Sequence, residues 1–434
     1  MRTARLAGPA VVLLLAFAPA APAQFTGTKV VETGGTYPGI GTISTSGFGG
    51  PPSLTGGTVA FTATTTTASQ GVYTAAGGVY ATVANTATAV PGGAGNFNSF
   101  NALSVGQSAS GVAFLAGAAS PTLGVYTTVN GPLAPVAALG GAYVGGTGTF
   151  TGLSVPSVSG TTVVFGGTNG AGGTSLGIFS SAGGGPVTVV ANTSTPVPGG
   201  TGNFTSFTDP VNGPSVPSVS GSNVVFGAQG GGRFGVYVSL AGTITPVATN
   251  LTTAPGGTGA FTSFGITPAV SGSAVGIYGV SPGRAGIYEW TQAGGLTRVA
   301  DTTTAVPGGT GTFAGFTPGP GSFPVSLDGG HVAFVGTNSG GQAGVYTDLT
   351  GSLAKVVGVG DAVGAKTVSA LTMSDYALSG SAVAVTLRFT DGSQAVYTFA
   401  PTPVPEPAGV LAVAAAAGLV GARVRRLRRG RAAG

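Results

Sequence analysis

An all-β ring of seven four-stranded blades, a β-propeller, is the fold the sequence predicts for residues 25–400, and three observations predict it. A Gly-Val-Tyr tripeptide or close variant recurs seven times, ending at Tyr73, Tyr126, Phe179, Tyr237, Tyr288, Tyr346 and Tyr397, at spacings of 51 to 58 residues. A Val-x-Phe element precedes it by 10 to 14 residues. Finally, residues 29–41 read as the end of one repeat joined to the start of another, although no repeat precedes them.

Composition favours strands over helices. With 83 Gly and only 6% charged residues among abundant Thr, Ser, Val and Ala, helix propensity is low and short strands with tight turns are preferred. Gly and Pro together make up about a quarter of the chain, near the level of low-complexity sequence. A hydrophobic fraction of 42% with little charge is nevertheless the opposite of the apolar-poor, charge-rich composition of disordered chains.

Each repeat resolves into parts. The Val-x-Phe element ends at Phe61, Phe114, Phe165, Phe226 and Phe334, with degenerate members at Tyr278 and Val385. Its alternating pattern and the Gly-rich turn that follows make a hairpin with Gly-Val-Tyr. A third element, PGGxGxF, stands at residues 91–97, 198–204, 255–261 and 307–313, with a variant at 145–150. Its glycines permit a sharp reversal. The fourth is a short strand such as LTRVAD or PVTVVAN. Four antiparallel strands repeated radially describe a propeller blade, and propellers have four to eight of them. A β-solenoid rung is much shorter, and tandem immunoglobulin-like domains need about seven strands per roughly 100 residues.

The unpaired beginning now has a place. The seventh repeat runs into Pro401 without a fourth strand, while TKVVETGGTYPG near the start aligns with TRVADTTTAVPG of the fifth repeat. Lys29 then matches Arg298, Val30 matches Val299, and Glu32 matches Asp301. The N-terminal strand is expected to complete the last blade and so remove two exposed sheet edges. The segments PSVSGTTVVFGG at 156–167 and PSVSGSNVVFGA at 217–228 resemble TolB-like propeller blades, a likeness that implies strand and turn positions and no activity.

Both ends carry address signals. Residues 1–23 combine two arginines, an apolar run and the small-x-small site Ala21-Pro22-Ala23, the pattern of a secretory signal peptide cleaved after Ala23. Zero cysteines mean that packing alone must stabilise an exported fold. At the other end, Val404, Pro405, Glu406 and Pro407 precede an apolar run over 408–422 and the basic residues Arg423, Arg425, Arg426, Arg428, Arg429 and Arg431. As a helix that run spans roughly 22 Å, short of the roughly 30 Å hydrocarbon core, which suits a temporary anchor with its arginines on the cytoplasmic side. Residues 401–434 resemble the PEP-CTERM sorting tail. The resemblance implies recognition by an exosortase, inner-membrane anchoring until the tail is removed, and delivery to the surface or extracellular matrix of an envelope-bearing bacterium. The signal helix and the C-terminal hydrophobic helix are both expected to lie outside the propeller.

The formal charge of +5 belongs to these ends. Between residues 24 and 405, 7 Lys or Arg face 9 Asp or Glu, so no phosphate-binding footprint runs along the chain and nucleic acid is not an expected partner. The PGGxGxF turns lack the Gly-Lys-Ser/Thr ending of a phosphate loop. One histidine, His331, and no cysteine exclude an ordinary transition-metal cluster, and no cofactor is expected. Glu32, Asn85, Asn192 and Asp301 hold equivalent positions after the fourth strand; they are candidate ligand-binding residues for a cation or a glycan, or else turn-closing residues. Asp209, in the longer segment 208–217, and Trp290 complete the candidate list, and a second long segment covers 317–326.

The expected function is that of a non-catalytic binding or structural propeller at the cell surface, whose partners are the exosortase and secretion machinery and, beyond them, exopolysaccharide or envelope proteins. The alternative is a secreted carboxylate-dependent glycan hydrolase or lyase. It requires two carboxyl groups about 5 to 10 Å apart in a pocket.

Overall fold

The computed structural model describes residues 24–402 apart from 68–69, 102–104, 171–176, 210–212 and 317–324. The signal segment, the sorting residues and most of the 317–326 segment lie outside the described residues. Among those described, no helix is long and apolar enough to cross a membrane.

Seven antiparallel sheets stand around one axis. Blade four illustrates the plan. From the axis outward it has the inner segments Phe204–Ser206 and Ser218–Ser220, then Asn223–Gly230, Arg233–Leu240 and Thr243–Thr249. The seven-blade expectation is met, with one refinement: the inner strand is in two pieces. Both pair with the same second strand, Phe204 facing Gly230 and Ser218 facing Val225. In four blades a proline, Pro52, Pro156, Pro217 or Pro268, stands at the repeat position before the last inner segment that Val105, Val325 and Tyr376 hold in the others. Without an N–H, proline cannot continue a ladder, so the strand breaks there.

The last inner segments touch their neighbours in cyclic order, from Ser53–Thr55 of blade one round to Leu378–Ser379 of blade seven and back. A hoop of hydrogen bonds fastens them. Thr55 donates to Gln107 O at 3.2 Å and Ser108 donates to Gly160 O at 2.8 Å. The hydroxyls of Ser159, Ser220 and Ser271 accept from the N–H groups of Gly221, Gly272 and Gly329 at 2.9, 2.9 and 3.3 Å. The Asp328 carboxylate accepts from Gly380 N–H at 2.7 Å, and the Ser379 hydroxyl accepts from Gly56 N–H at 3.2 Å. Every blade thus binds the next through the residue at one repeat position.

Aromatic packing explains the recurring motifs. Phe61 stands opposite Tyr73, Phe114 opposite Tyr126, Phe226 opposite Tyr237 and Phe334 opposite Tyr346. The phenylalanine ending each PGGxGxF turn meets the tyrosine of the blade that the turn opens, edge-on: Phe97 with Tyr126 at 4.8 Å and 86°, Phe261 with Tyr288 at 5.1 Å and 87°, Phe313 with Tyr346 at 4.8 Å and 88°. These are favourable aromatic geometries. Phe313 also shares a buried cluster with Ile287 and Ala300 of the preceding blade, so the turn pins one blade to the next, and Gly256 in the equivalent turn has a φ of 78°, open to glycine at no steric cost. Phe261 is buried, so Phe261→Ala is expected to lower stability by about 3–5 kcal/mol. A urea midpoint moved by less than a third of that would contradict the pinning role.

The ends of the propeller meet in blade seven. Phe25–Glu32 pairs antiparallel with Gln394–Pro401, Lys29 facing Tyr397 and Val31 facing Val396, so that Val30 is bulged out. The same slip occurs in blade five, where Arg298 faces Tyr288, Ala300 faces Ile287 and Val299 is passed over. The alignment of Lys29 with Arg298 made from sequence therefore holds to the residue, and the closing strand begins at Phe25, three residues before that alignment starts. The bulge also accounts for the glycine before Val-Tyr: a Cβ on Gly286 would stand 2.7 Å from Ala300 O.

Candidate functional site

A cavity of about 210 Å³ opens on the axis at the end of the propeller where the hoop lies, and all seven blades line it. Asp375 and Asp328 are among its lining residues, and no Lys, Arg or His is. Its chemistry comes from an irregularity in blade seven. Where four other blades carry proline and two carry valine before the last inner segment, this blade carries Tyr376, preceded by Asp375.

Tyr376 reaches across the axis. Its hydroxyl donates to Ser157 Oγ of blade three and lies 3.3 Å from Ser218 Oγ of blade four. Ser157 Oγ also accepts from Val219 N–H at 2.9 Å. On its own side, Tyr376 O accepts from Leu54 N–H at 2.8 Å, and the preceding Ser374 hydroxyl donates to Pro52 O at 2.6 Å. One side chain thereby bridges blade seven to the two blades opposite it. Burial, and then the adjacent Asp375 charge, push the phenol pKa far above its ordinary value.

Asp375 is the unusual group. It is 4% exposed, its backbone carbonyl accepts from Ser326 Oγ at 2.9 Å, and neither carboxylate oxygen has a hydrogen-bond partner among the described residues. Burial pushes its pKa up to about 7. A buried polar group without a partner costs free energy that the fold must recover elsewhere, so such groups concentrate where something binds or reacts.

The residues singled out from sequence lie elsewhere, and none lines this cavity. Asn85 and Asn192 close their own turns, accepting from Ala87 and Ser194 N–H groups at 2.9 Å each. Asp301 does the same with Thr303 N–H at 2.8 Å and is also gripped by Arg284 at 2.7 Å and Arg298 at 3.1 Å. Burial alone would raise its pKa, but the Thr303 and arginine hydrogen bonds hold it well below the usual carboxylate range. Glu32 pairs with Lys29 at 2.5 Å. The structure brings these four to equivalent outer positions on separate blades, not into one cluster. Trp290 is buried in the hydrophobic cluster shared by blades four and five, and Asp209 pairs with Gly213 in a two-residue ladder. His331 faces Asp348 at 3.3 Å on the surface. Among the described residues no group of three or more His, Cys, Asp or Glu is placed to hold a metal.

The sequence reasoning missed Asp375, Tyr376, Ser157 and Ser218. A signal was present: aligning the repeats on PSVSG puts Tyr376 at the proline position, the one aromatic among prolines and valines.

Among known proteins, the model of a family described as one of unknown function matches residues 23–273. No curated protein matches the chain in sequence. Solved structures similar to it include one titled "Crystal Structure of Mitotic Checkpoint Complex", at 13% identity and a TM-score of 0.39 over 91% of this chain and 98% of that one. The acylaminoacyl peptidase of Pyrococcus horikoshii is similar at 10% identity and a TM-score of 0.42, over 78% of this chain and 48% of the peptidase. The fucose-specific lectin from Aleuria aurantia is similar at 10% identity and a TM-score of 0.32, over 79% and 97%. Likenesses this distant carry no argument about what the chain binds or converts.

Proposed function

The chain belongs to the family of unknown function DUF7453, and we propose for it the role of an exported, non-catalytic β-propeller, displayed at the cell surface or in the extracellular matrix as a binding or structural module. The observation that carries the proposal is the position of the seam. Thr402 N–H donates to Gln24 O at 2.7 Å, so the points where the signal segment and the sorting tail attach lie side by side at the outer edge of blade seven. A propeller held there is tethered at the outer strand of blade seven and not at the inner segments that line its axial cavity. Its near-neutral, Thr- and Ser-rich chemistry suits hydrogen bonding to polysaccharide or envelope proteins better than attraction to polyanions.

The carboxylate-dependent hydrolase or lyase has one observation in its favour, since Asp375 and Asp328 line the same cavity. Asp328, however, is engaged by Gly380 N–H, which leaves Asp375 as a single unengaged carboxyl where two are required.

The test is expression in an envelope-bearing bacterium that has an exosortase. The native chain is expected at the surface without its tail, and Glu406→Ala is expected to remain in the inner-membrane fraction. The released propeller is expected to be retained by exopolysaccharide or envelope protein without generating new reducing ends. Equal distribution of native and variant chains would remove the sorting proposal. Reducing ends formed by the native chain and lost in Asp375→Asn would install the hydrolase reading.

A further inference from the structure

We propose that the floor of the axial cavity is a binding site for a single hard metal cation, with the Asp375 carboxylate as its charged ligand. The argument begins with the mismatch at Asp375: a carboxylate lining a cavity, nine-tenths and more buried, with both oxygens unpartnered. Burying an uncompensated carboxylate is among the costliest arrangements a fold can hold, and the remedies are an opposite charge, a metal or protonation. No opposite charge is available, because the cavity contains no Lys, Arg or His and its second ionisable carboxyl, Asp328, has the same sign.

The donors define the class of cation. Every side-chain group of the cavity lining able to ligate a metal does so through oxygen: the Asp375 and Asp328 carboxylates, the Gln107 amide oxygen and hydroxyls such as those of Ser159 and Ser220. Oxygen-only surroundings suit hard cations and disfavour soft or borderline ones. Size narrows the choice further. The Asp375 oxygens are buried from a water-sized probe, so an occupant must shed most of its water and be smaller than an ammonium group. Calcium tolerates irregular geometry and exchanges water for protein oxygens readily, whereas magnesium dehydrates reluctantly. Calcium is therefore the expected ion. One carboxylate with neutral oxygens makes a weak site, in the range of extracellular calcium modules, which function at high ambient calcium.

Protonation competes with the ion. Burial favours the neutral acid near neutrality, and the titratable groups facing Asp375 are Tyr376 beside it and Asp328 on the cavity wall. Affinity must consequently rise with pH.

The proposal rests on the cavity and is independent of export and sorting. The full-length chain, dialysed against chelator, would be melted at pH 5 and pH 8 with calcium alone, magnesium alone or methylammonium alone. At pH 8, calcium at about a hundred times its dissociation constant is expected to raise the melting temperature by about 3 °C. The shift should be smaller at pH 5 and absent in Asp375→Asn. Equilibrium dialysis of the unmutated chain should find one calcium ion per chain, a reading that needs no variant. A shift with methylammonium alone, an equal calcium shift in Asp375→Asn, or no bound calcium at pH 8 would each overturn it.

Discussion

At pH 8 and in chelator, Asp375→Asn is expected to stabilise the propeller by about 2–4 kcal/mol, and at pH 5 the effect is expected to be smaller by roughly 2.5 kcal/mol. A carboxyl whose pKa rises from the model value 3.8 to about 7 on folding binds more protons in the folded state than in the unfolded one. The contribution of Asp375 is therefore most favourable below pH 4, falls by about 1.4 kcal/mol per pH unit as pH rises from about 4 to 7, and is level above that. The accumulated loss at pH 8 is on the order of 4 kcal/mol. An asparagine amide carries no charge to bury, so it escapes this loss. It remains a buried polar group and recovers less than the whole amount. Urea unfolding of both chains at the two pH values measures the difference. A variant less stable than the native chain at pH 8 would mean that the carboxylate is compensated in the folded protein.

Deleting residues 24–32 is expected to abolish cooperative folding of the isolated chain. The deleted strand pairs along the whole of Gln394–Pro401 and contributes Val31, which is fully buried. Its loss exposes a long edge beside Val396 and Phe399. Unfolding free energies of single domains total only about 5–15 kcal/mol, so losing one of four strands from a blade that closes the ring is enough to exhaust them. An uncovered edge also recruits other chains, and oligomers exchanging strands are expected in size-exclusion chromatography. A synthetic peptide of residues 24–33 should restore a monomer with a cooperative melt. If the truncated chain melts as a monomer at the native temperature, the clasp is not what closes the ring.

The blades and their closure were legible because they repeat. Seven copies of Gly-Val-Tyr set the period, and the match of Lys29 to Arg298 located the closing strand; the bulge that Val30 shares with Val299 emerged only from the strand pairing. The division of the inner strand was less visible, since its cause, a proline such as Pro217, stands in only four blades. Equivalent positions do not imply a shared site: Asn85, Asn192 and Asp301 repeat because each begins the same kind of turn. The axial cavity was hidden for the opposite reason. Asp375 and Tyr376 break the repeat, and Tyr376 meets Ser157 across 219 positions of sequence. Only the circle brings these residues together, and no local pattern encodes a diameter.

Because the seam runs through the interior of a blade instead of between two blades, both halves of the clasp lie outside every internal module. Duplication or loss of one such module of 51 to 58 residues leaves Phe25–Glu32 and Gln394–Pro401 still able to find each other. Blade number can accordingly drift in a lineage without any relocation of the joint, and the bore of the axle would widen or narrow with each step.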